Sequence, residues 1–259
     1  MQNWSIKDEI RDYWSLRAET YDKSPGHGIA KHAEIDAWSR LIRRHLGDGE
    51  GRTALDLACG TGVMTMLMHG LGFKVTGLDF TEPMMARARR KSDEANAAIR
   101  FLTRDAEETM EPDDSYDVII TRHLVWTLTD PGKAFSDWLR ILKPGGRLLI
   151  IDGDFVHKHW MEKLLPLLDR VFGKQPDGHS LLTPEQWAHH ERIVDQVHFK
   201  DGIRAGDTVQ LFRTAGFGEL RIDTDLADIR RSRGIKLLSR KGLASTLQHR
   251  FAISGRKPL

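Results

Sequence analysis

The first residues able to do chemistry lie in the stretch Ala54-Leu-Asp-Leu-Ala-Cys-Gly-Thr-Gly-Val-Met-Thr65. Ala58-Cys59-Gly60-Thr61-Gly62 has almost no side-chain bulk, so a ligand can lie against bare backbone there. Asp56 stands just before this turn, and a second carboxylate, Asp79, ends the run Phe73-Lys-Val-Thr-Gly-Leu-Asp79. An acid roughly 20 residues beyond a glycine-rich turn can accept both hydroxyl protons of a ribose. Further along, Arg122 and His123 follow the apolar run Tyr116-Asp-Val-Ile-Ile-Thr121. The guanidinium suits a carboxylate, or an ion pair with Asp117 or Glu19, and the imidazole can take a proton near neutral pH.

Such residues need a scaffold that brings them to one edge. Residues 53–57 read as a buried strand, and a helix-compatible run begins at Val63. Strand, small-residue turn and helix place a ligand at the carboxyl end of an open α/β sheet. Further strands are expected over 73–79, 98–103, 116–121, 147–151, 220–225 and 250–255. Helices are expected over 5–20, 29–46, 81 onward, 129–142, 155–171, 184–197, 207–215 and 228–248. Ile35, Trp38, Leu41, Ile42 and His45 share one face of the second helix, and Lys143-Pro-Gly-Gly146 reads as the stop of the fifth.

The turn alone admits two ligand classes. A dinucleotide fingerprint requires a small residue three places after Gly62, where Thr65 stands. Asp56-x-Ala58-x-Gly60-x-Gly62 instead resembles motif I of the class I S-adenosylmethionine-dependent methyltransferases. Trp14-x-x-Arg17-Ala-Glu-x-Tyr21-Asp22 resembles the segment preceding that motif in small-molecule members of the family, where the Tyr closes over the cofactor. The resemblance implies that Tyr21, Asp56, Ala58, Gly60 and Gly62 hold the methionine end of the cofactor, Asp79 its ribose, and Phe80 and Met84 its adenine. Asp105 and Ala106 match the acid and small residue that take the adenine amino edge, and Arg122 is counted with the cofactor-facing residues. His123 stands where the family's catalytic or substrate-facing residues often stand, just past strand four.

The implied fold is Rossmann-like, α/β and doubly wound: a seven-stranded, mostly parallel sheet with an antiparallel last strand. The expected organisation is a helical N-terminal lid over 1–46, a core over 47–152 and 206–259, and an inserted helical cap over 153–205. The implied reaction is methyl transfer from S-adenosylmethionine, leaving S-adenosylhomocysteine, to an N, O or S nucleophile of a small molecule. Alternatives are carbon methylation of a quinone-like ring, as in the menaquinone and ubiquinone methyltransferases, and an NAD-dependent oxidoreductase.

Composition narrows the partners. The chain has 259 residues, a net charge of +2 and one cysteine, Cys59, which leaves no intrachain disulfide framework. No apolar run approaches the roughly 18–20 residues of a membrane span, and the polar start is unlike a signal peptide, so a cytoplasmic monomer or homodimer without membrane partners is expected. Arg230, Arg231, Arg233, Lys236, Arg240 and Lys241 form a basic run, but no aromatic residue interleaves it for base stacking. It reads as a solvated face, and no nucleic-acid partner is expected. The cap is rich in histidine: His157, His159, His179, His189, His190 and His198. His157-x-His159 with Asp152-x-Asp154 lacks a closed ligand set, so no metal is expected. Trp126, His189 and His190 are the expected substrate-binding residues.

Overall fold

The computed structural model describes residues 5–23, 27–29, 31–156, 183–233 and 248–259. Strands β1 (Thr53–Leu57), β2 (Lys74–Asp79), β3 (Arg100–Thr103), β4 (Tyr116–Arg122), β5 (Leu142–Gly153), β6 (Gly218–Asp223) and β7 (Arg250–Arg256) form one seven-stranded sheet. Its order is β3-β2-β1-β4-β5-β7-β6. Strands β1 to β5 are parallel, and β7 runs antiparallel to both β5 and β6.

Strict alternation along the central strands decides what each face meets. Leu55, Leu57, Ile119, Leu148, Ile150 and Ile253 pack beneath α5 (Pro131–Ile141) and α7 (Ala205–Ala215). Ala54, Val118, Ile120, Leu149, Ile151 and Ala252 face the other way, towards α2 (His32–Leu46) and α3 (Val63–Gly70). Both faces are covered, as parallel sheets require. Helix α4 (Glu82–Glu94) connects β2 to β3. Because β1 lies between β2 and β4, the order of the strands reverses at β1 and opens a crevice at the carboxyl ends of β1 and β4.

Two local expectations change. Trp38, Leu41, Ile42 and His45 of α2 are buried, but Ile35 is 38% exposed, so the inward stripe is shorter than the periodicity suggests. Lys143-Pro-Gly-Gly146 does not separate helix from strand. It lies inside β5 as an irregularity opposite Tyr116 and Val118, with Gly145 at φ +76°.

The N-terminal helix α1 (Ile6–Arg17) is opened by a reciprocal cap, in which Asp8 N donates to Ser5 Oγ and Ser5 N donates to Asp8 Oδ2. Its Ile10 and Tyr13 pack on Ile193 and Val197, from α6 (Pro184–Val194) and just beyond it, with Phe80 at the margin. Of the expected helix over 155–171 only residues 155 and 156 are described, and His157, His159 and His179 lie outside the described residues. Of the basic stretch, α8 (Ala227–Ser232) is described, whereas Lys236, Arg240 and Lys241 lie outside. No helix among the described residues is long and apolar enough to cross a membrane.

Candidate active site

The crevice holds a cavity of about 750 Å3, open mouth included, lined among others by Tyr21, Ala58, Gly60, Asp79, Met84 and Asp105. Phe80, Ala106, Arg122 and His123 line it too. Ten of the sequence-selected residues thus converge on one cavity. The turn after β1 is wound tightly enough to leave this space: Ala58, Gly60 and Gly62 take φ of 52°, 54° and 78°. These are left-handed conformations that only glycine adopts without cost. The glycines serve different ends. A Cβ at Gly60 would meet nothing within 4 Å, so this residue opens onto the cavity. A Cβ at Gly62 would lie 3.0 Å from the Ala88 Cβ, so Gly62 lets α3 approach α4 and does not line the cavity.

Asp56 also lies outside the lining. It is buried behind the turn, where its Oδ2 accepts from Thr65 Oγ1 at 2.6 Å. Burial pushes its carboxyl up to about 7, against the opposing Thr65 bond. Thr65 is thus the Asp56 partner, which gives a physical reason for a hydroxyl where a dinucleotide turn has a small residue. Asp79 does line the cavity, and its two oxygens brace the walls: Oδ2 accepts from Gly60 N at 2.9 Å and Oδ1 from Thr81 N at 2.8 Å. Burial raises its carboxyl, partly offset by the Thr81 and Gly60 bonds.

Further along the lining, Asp105 Oδ2 accepts from Lys7 Nζ at 2.6 Å, and Lys7 also reaches Glu107 at 2.8 Å. Ala106 presents its carbonyl to Trp138 Nε1 at 2.7 Å. Phe80 is covered by the Arg11 guanidinium, 5.3 Å from the ring centre. The segment after α1 is tied down at a second point: Asp22 accepts from Thr61 Oγ1 at 2.5 Å and from Lys91 Nζ at 2.7 Å. Tyr21 stands between Trp14 and His27, with ring centres 5.8 and 4.3 Å away.

At the end of β4, Arg122 is 7% exposed and makes neither the Asp117 nor the Glu19 pair. Its Nη2 donates to the His27 carbonyl at 2.7 Å, and its guanidinium lies 5.5 Å from the Trp38 ring centre. Its Nη1 is buried without a hydrogen-bond partner among the described residues. His123 adopts φ 63°, held by its N–H on the Ile151 carbonyl, with its ring between His27 and Phe155. Burial, then Arg122 and His27, drive its imidazole well below the usual histidine range. His123 also lines a second cavity of about 1300 Å3, open mouth included, with Trp38, Asp152, Ile229, Arg230, Arg233 and Arg250 among its other walls.

His27 is driven to about 3, first by burial and then by Arg122. Its folded value lies below the ordinary 6.5, so the unfolded chain takes the proton first. The His27 contribution is therefore complete above pH 6.5 and lost as the pH falls toward 3. Asp56 and Asp152, both raised to about 7 by burial, act with the opposite sign over roughly pH 4–7. The clean measure is therefore the difference between variant and wild type. Urea unfolding at pH 7 and pH 5 should show His27→Gln losing about 1–2 kcal/mol less than wild type on acidification. Equal losses would mean that His27 is solvated.

Trp126, His189 and His190 line neither cavity. Trp126 is 6% exposed in the core, and its ring meets Phe155 and His190. His189 and His190 pack against Tyr13 of α1, so these aromatics join α6 to the N-terminal helix. The basic run is not a uniformly solvated face either. The Arg231 side chain is 72% exposed, but those of Arg230 and Arg233 are 26% and 11% exposed and turn into the second cavity. Their three-residue spacing puts them on one helix face with Ile229 beside them, which is a signal the sequence carried. Lys7 and His27 gave no such local signal, and Asp22 entered only as the last residue of the Trp14-to-Asp22 pattern.

Residues 55–150 match the family model described as a methyltransferase domain. The putative methyltransferase YqeM of Bacillus subtilis is 34% identical over 233 residues, covering 82% of this chain and 89% of that protein. The demethylmenaquinone methyltransferase of Lactococcus lactis is 29% identical over 223 residues, covering 82% of each chain. The fold is similar to that of the phosphoethanolamine N-methyltransferase 2 of Haemonchus contortus in complex with S-adenosyl-L-methionine. The TM-score there is 0.67 at 17% identity, covering 100% of this chain and 61% of that one. The chain belongs to the S-adenosylmethionine-dependent methyltransferases, the class that the sheet order and the glycine turn define. Its cofactor is S-adenosylmethionine and its reaction is methyl transfer.

Proposed function

We propose that this enzyme methylates an N, O or S nucleophile of a small molecule that enters from the second cavity, with His123 as the proton acceptor. The observation that carries this reading is that His123 alone, among the described residues, lines both cavities. A group at that boundary can face the cofactor on one side and a substrate on the other. The cofactor cavity fits its ligand. Gly60 leaves open space at the turn, and Arg122 Nη1 is a buried donor suited to a carboxylate. Asp79 suits a ribose, and Phe80, Met84, Asp105 and Ala106 suit an adenine.

When bound, the cofactor supplies a methyl group made electrophilic by its sulfonium. The chain's own tasks are then to align the nucleophile, exclude water and receive a proton at the His123 imidazole. Burial first, then Arg122, His27, Arg250 and Arg233, oppose a charge on His123, so the ring is neutral at physiological pH with its nitrogen lone pair available, although the same surroundings weaken it as a base. Tyr21 and the N-terminal helix act as the lid in this reading, and 153–205 as the cap.

The test is transfer of labelled methyl from S-adenosylmethionine into small-molecule acceptors bearing amine, phenol, thiol or quinol groups. Label in at least one of the first three supports the reading, and label confined to quinol carbon replaces it. That second reading, carbon methylation of a quinone-like ring, is favoured by the demethylmenaquinone methyltransferase among the relatives.

The lid has its own test. Lys7 on Asp105 and Asp22 on Thr61 fasten the two ends of the segment. Saturating S-adenosylhomocysteine should slow limited proteolysis between residues 14 and 28. The double variant Lys7→Ala, Asp22→Ala should be cut faster than wild type without ligand. Equal cleavage rates in all states would remove the lid from the mechanism.

A further inference from the structure

His123 stands just past β4 at φ 63°, a left-handed conformation that a non-glycine residue keeps only where its surroundings over-determine it. Its ring does not supply that hold. Among the described residues the imidazole makes no hydrogen bond, and it meets the His27 and Phe155 rings with centres 5.7 and 5.0 Å away. The backbone is held instead from the end of β5, the parallel neighbour of β4. His123 N donates to the Ile151 carbonyl at 3.0 Å. Two residues on, Val125 N donates to Asp152 Oδ2 at 2.8 Å, and Trp126 N reaches the same oxygen at 3.4 Å. Asp152 Oδ1 accepts from Gly153 N at 2.9 Å, which fixes the orientation of the carboxyl group. Asp152 is 2% exposed and lines the second cavity with His123, but it does not line the first. Burial raises its carboxyl to about 7, against the three backbone bonds and Arg250. Ionised or neutral, the group keeps an oxygen that accepts from Val125 N.

Resting on the reading of His123 as the proton acceptor, we infer that Asp152 is a positioning residue, which pins the turn 123–126 to the end of β5 and so sets where the His123 imidazole stands between the two cavities. The turn has two anchors, the Ile151 carbonyl at its start and Asp152 Oδ2 at its far end. Without the second, a strained residue is held at one point only, and its φ is free to relax toward an ordinary value. The ring then moves with the backbone, because side-chain direction follows φ and ψ. Proton transfer needs the base within hydrogen-bond reach of the nucleophile, so such a displacement acts on turnover. Cofactor affinity is spared, because Asp152 is not on the first cavity.

Ring-labelled histidine makes the position visible by NMR in the full chain, without a substrate. The His123 signal is the one lost in His123→Asn. In Asp152→Ala it should shift or broaden, whereas that of His45, bound to Ser254 Oγ at 2.8 Å, should not. Asp152→Asn keeps an oxygen for Val125 N but sets an NH2 against Gly153 N, so its effect should be smaller in the same direction. It is also the safer variant should Asp152→Ala not fold. With the acceptor labelled in the methyl-transfer test, Asp152→Ala should lower turnover roughly tenfold or more, with Asp152→Asn in between. S-adenosylhomocysteine affinity should stay within about twofold in both, as for separate sites. The double variant His123→Asn, Asp152→Ala should be no slower than His123→Asn, because a residue that acts through His123 has nothing left to position. An unmoved His123 signal, wild-type turnover in Asp152→Ala, or penalties that multiply in the double variant overturn the inference. Wild-type turnover in His123→Asn would instead overturn the His123 reading, whatever the ring signal does.

Discussion

His123→Asn should lower turnover by roughly 10²–10⁴-fold, the usual worth of a positioned general base, while S-adenosylhomocysteine affinity stays within a few-fold. Asn is the informative replacement because residue 123 sits at φ 63°, a left-handed conformation that Asn tolerates better than most residues. The backbone and the turn after β4 should therefore survive, and loss of the imidazole becomes the main change. The pH dependence adds a second readout. Burial lowers the His123 value, and so do Arg122, His27, Arg250 and Arg233 around it. The charged groups facing it also include Asp152, which shares the second cavity. Protonation of the free enzyme should thus reduce kcat/KM only at pH values well below the ordinary histidine range. Rates for wild type and His123→Asn across a pH series check both points. An unchanged rate with an unchanged limb would make residue 123 a packing and positioning group.

What could be read from the sequence was local. The glycine turn, the strand-end acids and the strand alternation depend on neighbours a few residues apart, and these elements form as expected, with Asp79, Phe80 and Met84 on the cavity. Asp56 and Gly62 were chosen by the same motif yet stand behind the turn, because the motif encodes how the loop is built as well as what it touches. The missed contacts act across the chain. Lys7 meets Asp105 98 positions away, Asp22 meets Lys91 69 away, and Arg122 meets the His27 carbonyl 95 away. Nothing in the composition around Lys7 or His27 distinguishes them from solvated residues. Arg250 looked like an ordinary strand start, and only the sheet order, which sets β7 beside β5, carries it to the wall near His123.

Asp79→Asn should weaken S-adenosylhomocysteine binding by about 1.5–3 kcal/mol, roughly 10- to 150-fold, the range for hydrogen bonds to a charged group. The carboxylate has more acceptor sites than its two backbone bonds use, so an ionised Asp79 can hold Gly60 N and Thr81 N while still receiving ribose hydroxyls. An amide cannot. One end of the substituted side chain would present an NH2 to a backbone N–H, so the variant should also lose stability at the turn, and thermal unfolding must be recorded beside calorimetry. The two effects separate by pH. Burial raises the folded Asp79 value above 3.8, and it is the ionised form that accepts the ribose protons. Wild-type affinity should accordingly fall on acidification at a higher pH than for a solvated carboxylate, and Asp79→Asn should abolish that fall. If Asp79→Asn instead binds S-adenosylhomocysteine within twofold of wild type and lowers only the unfolding temperature, Asp79 braces Gly60 and Thr81 and does not contact the ribose. The cavity's polar wall would then have to be supplied from the turn backbone and Asp105.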